Sequence, residues 1–198
     1  MYGLYISGNN TYIVQKRNNN FYIRSDDNFC YSIIDKNIYI TNTNKYDDSN
    51  YSNYEEKCEI PDNMISEVNS ILLSEEYKFS IIYLYNNVVF KCQYDIYDKE
   101  LTINCSGKSN LKLWCVNVRD ITINAYDESK ILLSKSEIYN LKNKNDENAQ
   151  IKFIETIIHE QNGFKKIINE NAELIINSIP IIDKNIDICL ADDFVLLT

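Results

Sequence analysis

From Gly3 to Thr41 the chain alternates polar turns with short strands, most of them pairing an aromatic residue with an isoleucine. The strand units are residues 3–7, 11–14, 21–24, 30–34 and 38–41. The turns are Gly8-Asn9-Asn10, Asn18-Asn19-Asn20, Asp26-Asp27-Asn28 and Asp35-Lys36-Asn37. Successive central tyrosines (Tyr5, Tyr12, Tyr22, Tyr31 and Tyr39) stand 7, 10, 9 and 8 residues apart. Those gaps are too short for helical crossovers, so the spacing predicts an antiparallel meander over residues 1–41. Neighbouring residues on a strand point to opposite faces. Ile6, Ile13, Ile23 and Ile40 are therefore expected on a core face, with Tyr5, Tyr12, Tyr22 and Tyr39 on the other.

A polar stretch from Thr41 to Lys57 reads as a surface loop. Pro61-Asp62-Asn63 then resembles a helix start, and Met64/Ile65, Val68 and Ile71/Leu72 recur every three to four residues, predicting a helix that ends near Glu76. Residues 77–126 return to strands. Asn86-Asn87 reads as a hairpin turn, the stretch from Ser106 to Asn110 as a turn between strands, and Trp114, Val116 and Val118 share one strand face. Residues 127–145 are polar, with a short helical pattern at 136–141. A clearer helix begins near Asp146 on an apolar face of Ile151, Ile154 and Ile158. It is interrupted at Asn162-Gly163, resumes with Ile167/Ile168, Leu174/Ile175 and Ile179, and closes at Pro180. Residues 186–190 and 194–197 read as two last strands.

These elements predict an α+β fold: an antiparallel β-meander body, one helix after the first sheet, and a C-terminal helical segment. One compact domain over 1–198 is expected, with a subdivision into a mainly β part, 1–126, and a helical part with terminal strands, 127–198.

Composition changes the picture in three places. The excess of Asn, Ile, Lys and Tyr matches AT-rich codons, which accounts for much of the tyrosine count of 16 without a binding role. A net charge of −9 opposes a free-standing nucleic-acid-binding domain and leaves room only for a local basic patch. The six cysteines form no Cys-x-x-Cys unit and His159 is the sole histidine, so no metal site and no cofactor are expected. Lacking an apolar signal segment or a membrane-length apolar run, the chain is expected in the cytoplasm with reduced thiols.

Candidate chemistry is sparse. His159 is expected to pair with Glu155 across one helical turn. The acidic doublets, Asp192-Asp193 among them, read as solvated surface. Ser106-Gly107-Lys108-Ser109 lacks the upstream glycine of a phosphate loop, because Thr102 stands there. Lys16-Arg17 and Arg24 are close enough in sequence to approach one another across the first hairpins, beside aromatic rings. The expected function is a non-catalytic interaction or adaptor protein that docks on a larger macromolecular assembly through a tyrosine-rich sheet face. Its contact residues would be Tyr5, Tyr12, Tyr22 and Tyr39 with Lys16, Arg17 and Arg24. The alternatives are a small carboxylate- or cysteine-dependent enzyme, a parasite or viral effector or inhibitor, and a factor bound to an RNA-rich assembly such as the ribosome.

Overall fold

The computed structural model describes residues 2–17, 20–42, 65–74, 77–93, 95–161, 164–165 and 173–176. Within them lie sixteen strands and no helix. In chain order they begin with β1 (Tyr2–Ser7), β2 (Thr11–Arg17), β3 (Asn20–Ile34), β4 (Asn37–Asn42) and β5 (Ile65–Leu73). Next come β6 (Phe79–Leu84), β7 (Val89–Cys92), β8 (Ile96–Cys105), β9 (Asn110–Trp114), β10 (Val116–Ala125) and β11 (Lys130–Ser134). The last are β12 (Glu137–Asn145), β13 (Gln150–Ile154), β14 (Ile157–Gln161), β15 (Phe164–Lys165) and β16 (Glu173–Ile176).

The chain from β6 to β14 winds as a parallel coil. Strands β6, β8, β10, β12 and β14 pair side by side, all parallel, and make a first ladder. Strands β7, β9, β11 and β13 pair in the same way and make a second. Leu101, Ile121 and Leu141 lie in register, as do Leu113, Leu133 and Phe153, so each full turn of the coil takes twenty residues. Such a coil buries its apolar face only by stacking on its neighbours.

Two inner columns show why these residues adopt it. Ile38, Leu4, Ile82, Ile103 and Ile123 follow one another on the first ladder; Tyr12, Phe90, Leu111, Ile131 and Ile151 do so on the second. Every one is buried, and all belong to a single hydrophobic cluster.

Corners of one left-handed residue turn the chain between ladders. Asn86, Gly107 and Asp127 (φ 65, 68 and 56°) form one set; Cys115, Lys135 and Glu155 (φ 54, 50 and 48°) form the other. At Gly107 an added Cβ would lie 2.7 Å from the Asn86 carbonyl oxygen, so glycine meets both the backbone angle and the close approach. Asp127 Oδ2 accepts the Gly107 N–H at 2.8 Å, and Asp146 Oδ2 accepts the Asp127 N–H at 3.2 Å. Each coil thus ties down the corner before it.

The N-terminal strands extend and close the stack. β1 lies parallel between β6 and β4 on the first ladder, and β2 lies parallel to β7 on the second. The long β3 crosses from one ladder to the other, antiparallel to β2 through its first half and to β4 through its second, while β5 runs along its outer edge. At the other end, β15 and β16 pair antiparallel with β14 and β13.

The α+β expectation is overturned. The stretch predicted as the first helix is β5 from Ile65 onward, residues 61–64 lying outside the described part. Its pairing with β3 shifts register twice, between Arg24 and Phe29 and between Phe29 and Tyr31. Such irregularities space Val68 and Ile71 as a helix would. The predicted helix from Asp146 is β13 and β14, with the Glu155 corner between Ile151 and Ile158, and the helical pattern at 136–141 is β12. Of the resumed helical stretch, residues 164–165 and 173–176 are strand; 166–172 and 177–180 lie outside the described residues. So do the expected strands at 186–190 and 194–197, the doublet Asp192-Asp193, and the surface loop from residue 43 onward.

The hairpin reading at Asn86-Asn87 fails for a related reason. Strands flanking Asn86-Asn87 and Ser106–Asn110 do not pair with each other; each pairs with the strand one coil away. The antiparallel meander survives only in β2–β3–β4, because β1 is parallel to β4. Among the described residues no helix is long and apolar enough to cross a membrane.

Candidate interaction surfaces

The parallel register places side chains one residue type above the next, in columns separated by one strand spacing, about 4.8 Å. On the outer face of the first ladder Tyr39, Tyr5 and Tyr83 form such a column. Their rings stack at 4.9 Å and 4.7 Å between centroids, tilted by only 14° and 8°. The column continues with Asn104 and Asn124, whose side chains share a 2.8 Å hydrogen bond. Tyr5 has both ring faces covered by tyrosines, and Tyr39 and Tyr83 each have the face turned toward Tyr5 covered.

The expected contact residues do not form one surface. Tyr5 and Tyr39 stand together in this column, joined by Tyr83. Tyr22 lies beside Gln15 at the start of the second ladder. Tyr12 is fully buried, its ring edge-on to Phe29 at 5.4 Å, and burial holds its phenol above the ordinary range, with the Asn10 side chain partly offsetting. Its neighbour Ile13 is half-exposed, so the expected Tyr-out, Ile-in order is inverted on β2. Ile6, Ile23 and Ile40 are core. Lys16 alternates with Arg24 rather than joining it: Arg24 lies outward opposite Ile13, whereas Lys16 sits opposite Phe21 with its ammonium 6.0 Å from that ring. Arg17 ends β2 opposite Asn20.

The outer face of the second ladder has a different character. Arg24, Ile13, Lys91, Lys112, Leu132 and Lys152 form its central column. Strands β2, β7, β9, β11 and β13 contain Lys16, Arg17, Lys91, Lys112, Lys130 and Lys152 and no aspartate or glutamate. This is unusual in a chain whose 29 acidic residues outnumber 20 basic ones. Corner lysines are neutralised locally, Lys108 by Glu128 at 3.6 Å and Lys135 by Glu155 at 3.8 Å. Among the described residues Lys91 and Lys112 have no such partner.

A groove of about 460 Å³ opens on this face, lined by Lys91, Gln93, Lys112, Trp114, Leu132 and Ser134. Trp114 is 48% exposed, and the Lys135 ammonium stands 4.9 Å from its ring centroid. Trp114 faces outward while Val116 and Val118 face the core, because the Cys115 corner between them reverses the alternation.

Elsewhere the titratable groups are arranged structurally. His159 bonds Glu137 at 3.1 Å and stacks on Tyr139 at 4.5 Å, both one coil away; its expected helical partner Glu155 pairs with Lys135. Burial pushes the Cys105 thiol up to about 12, Ser109 partly offsetting, and burial with the adjacent Asp95 also raises Cys115. Both shifts run opposite to the activation of a cysteine nucleophile. Among the described residues no three His, Cys, Asp or Glu side chains converge as a metal site would require.

No family model, curated protein or solved structure matches the chain. The surfaces must be read from their own chemistry. Trp114, Lys91, Lys112 and Leu132 were absent from the sequence-derived contact set. The signal that would have found them is Thr102-Ile103-Asn104 recurring as Thr122-Ile123-Asn124. That twenty-residue step puts Lys112, Leu132 and Lys152 in one column.

Proposed function

We propose that the protein is a non-catalytic interaction protein that docks on a larger macromolecular assembly through the outer face of its second ladder. The observation carrying this reading is the groove around Trp114. A half-exposed tryptophan, an aliphatic Leu132 and Lys91 and Lys112, unpaired among the described residues, line one groove. Tryptophan and charge around an apolar centre are the usual composition of a contact that carries binding energy. The tyrosine ladder is the weaker docking face, because four of its six ring faces are taken up by stacking within the column.

Tagged protein recovered from its source cells under native conditions tests the proposal. A stoichiometric partner is expected with the natural chain and with Arg119→Glu on the first ladder, and is expected to be lost with Lys112→Glu. A strictly monomeric protein, or a partner indifferent to Lys112→Glu, would overturn it.

A further inference from the structure

We infer that the groove of the second ladder binds an extended segment of a partner protein in which acidic and apolar residues alternate along one edge. This rests on the docking face proposed above and adds the chemistry of its occupant.

Three features argue for that occupant. The central column alternates the two chemistries itself: Arg24, then Ile13, then Lys91 and Lys112, then Leu132, then Lys152. A peptide lying along the column presents side chains on one edge about every 7 Å. When those edge residues themselves alternate between carboxylate and apolar, the carboxylates fall within reach of flexible lysine stems and the apolar side chains meet Leu132 and the Trp114 ring.

Second, the positive charge is local. Lys91, Lys112, Lys130 and Lys152 sit in strands free of acidic residues, inside a chain of net charge −9. A polyphosphate brings one charge per nucleotide and is repelled by the remainder of the molecule. A peptide with a few carboxylates engages the patch with far less of that repulsion.

Third, Trp114 is the single ring lining the groove, and the aliphatic Leu132 gives a nucleic acid nothing to stack on. Single-strand binding surfaces rely on successive rings under successive bases.

Trp114 is also the only tryptophan of the chain, so its emission reports this groove and nothing else. Purified protein is titrated with a short labelled peptide of repeating Asp-Ser-Leu-Ser, which sets aspartate and leucine on one edge, with the same peptide carrying lysine for aspartate, and with oligothymidylate. Trp114 emission and peptide anisotropy are followed together. The aspartate peptide is expected to shift the emission saturably, and its affinity to fall about ten-fold or more in Lys112→Glu and in Lys91→Glu. Lys112→Gln is expected to fall between, and Arg119→Glu to bind as the natural chain does. The far-ultraviolet circular dichroism of each variant reports whether it is folded. A lack of saturable response to the aspartate peptide, an equal response to the lysine peptide, or tighter binding of oligothymidylate would overturn the inference. If the aspartate peptide fails while a cellular partner is still lost with Lys112→Glu, the docking face stands and the assigned occupant falls. If the peptide binds in this pattern and no cellular partner exists, the groove chemistry stands and the docking role falls.

Discussion

Tyr39, Tyr5 and Tyr83 on the first ladder and Lys91, Lys112 and Lys152 on the second occupy the same kind of position: outward and in register with the strands beside them. Their neighbours treat them differently. In-register stacking sets like beside like, which favours flat rings and amides because each completes the contacts of the next. Tyr5 is held between two rings, and Asn104 accepts from Asn124. The same register puts Lys91 directly beside Lys112, where like charges oppose each other and cost a few tenths of a kcal/mol. One geometry therefore yields a face that satisfies itself and a face that offers charge to an outside partner. Which one results depends only on the residue chosen at each step.

The largest test concerns what the two faces share. Cys105 is buried on the first ladder between Leu84 and Ala125, Tyr12 belongs to the inner column of the second, and burial raises the pKa of both. A folded-state pKa above the unfolded one gives stability that is complete below the unfolded value. It is lost as pH rises toward the folded value. For Cys105 that window runs from pH 9 to about 12, and Tyr12 joins it from pH 10 upward. The thermal midpoint should hold steady up to pH 9 and fall continuously above it. A flat profile through pH 11 would mean the interior is wet.

Core truncation comes next. Ile123→Ala and Ile131→Ala, one on each ladder, should each cost about 2–5 kcal/mol in urea unfolding. A loss confined to one ladder would break the picture of a common core.

Tyr5→Ala removes two stacked contacts and should cost about 1–3 kcal/mol, whereas Tyr5→Phe, which keeps both rings in place, should cost much less. Equal losses would mean that the hydroxyl, not the stack, holds the column.

The smallest effect has the opposite sign. Lys112→Gln removes a like-charge neighbour and should leave stability within about 0.5 kcal/mol of the natural chain, shifted upward. A marked loss of stability would show that Lys112 supports the fold, and the contrast between the faces would vanish.

Much of this was legible in the chain. The strands of residues 1–41 and 77–126 follow from local alternation, and Ile6, Ile23 and Ile40 lie inward as that alternation requires. Tyr12 shows where it stops. Tyr-Ile reads identically on β1 and β2, yet the turn at Gly8 sends β2 to the other ladder, where the inward position falls on Tyr12. The false helix from Asp146 has a cause of its own. A single left-handed corner such as Glu155 restarts the alternation out of phase, so inward residues on either side stand at odd separations that imitate a helical period. Lys16 and Arg24 illustrate a third limit: nearness in sequence suggested a common patch, and the pairing of Ile13 with Arg24 assigned them to different positions.

Alternation of apolar and polar side chains was enough to establish most of the strands, their turns and a large part of the core, because those depend on residues only a few positions apart. Outside β2–β3–β4, the partner of each strand was decided by the tertiary structure alone. A polar turn serves a hairpin or a coil corner equally well, and the choice rests on burying one coil against the next, twenty residues away. That long-range choice is what lines Lys91, Lys112, Trp114 and Leu132 into a single groove.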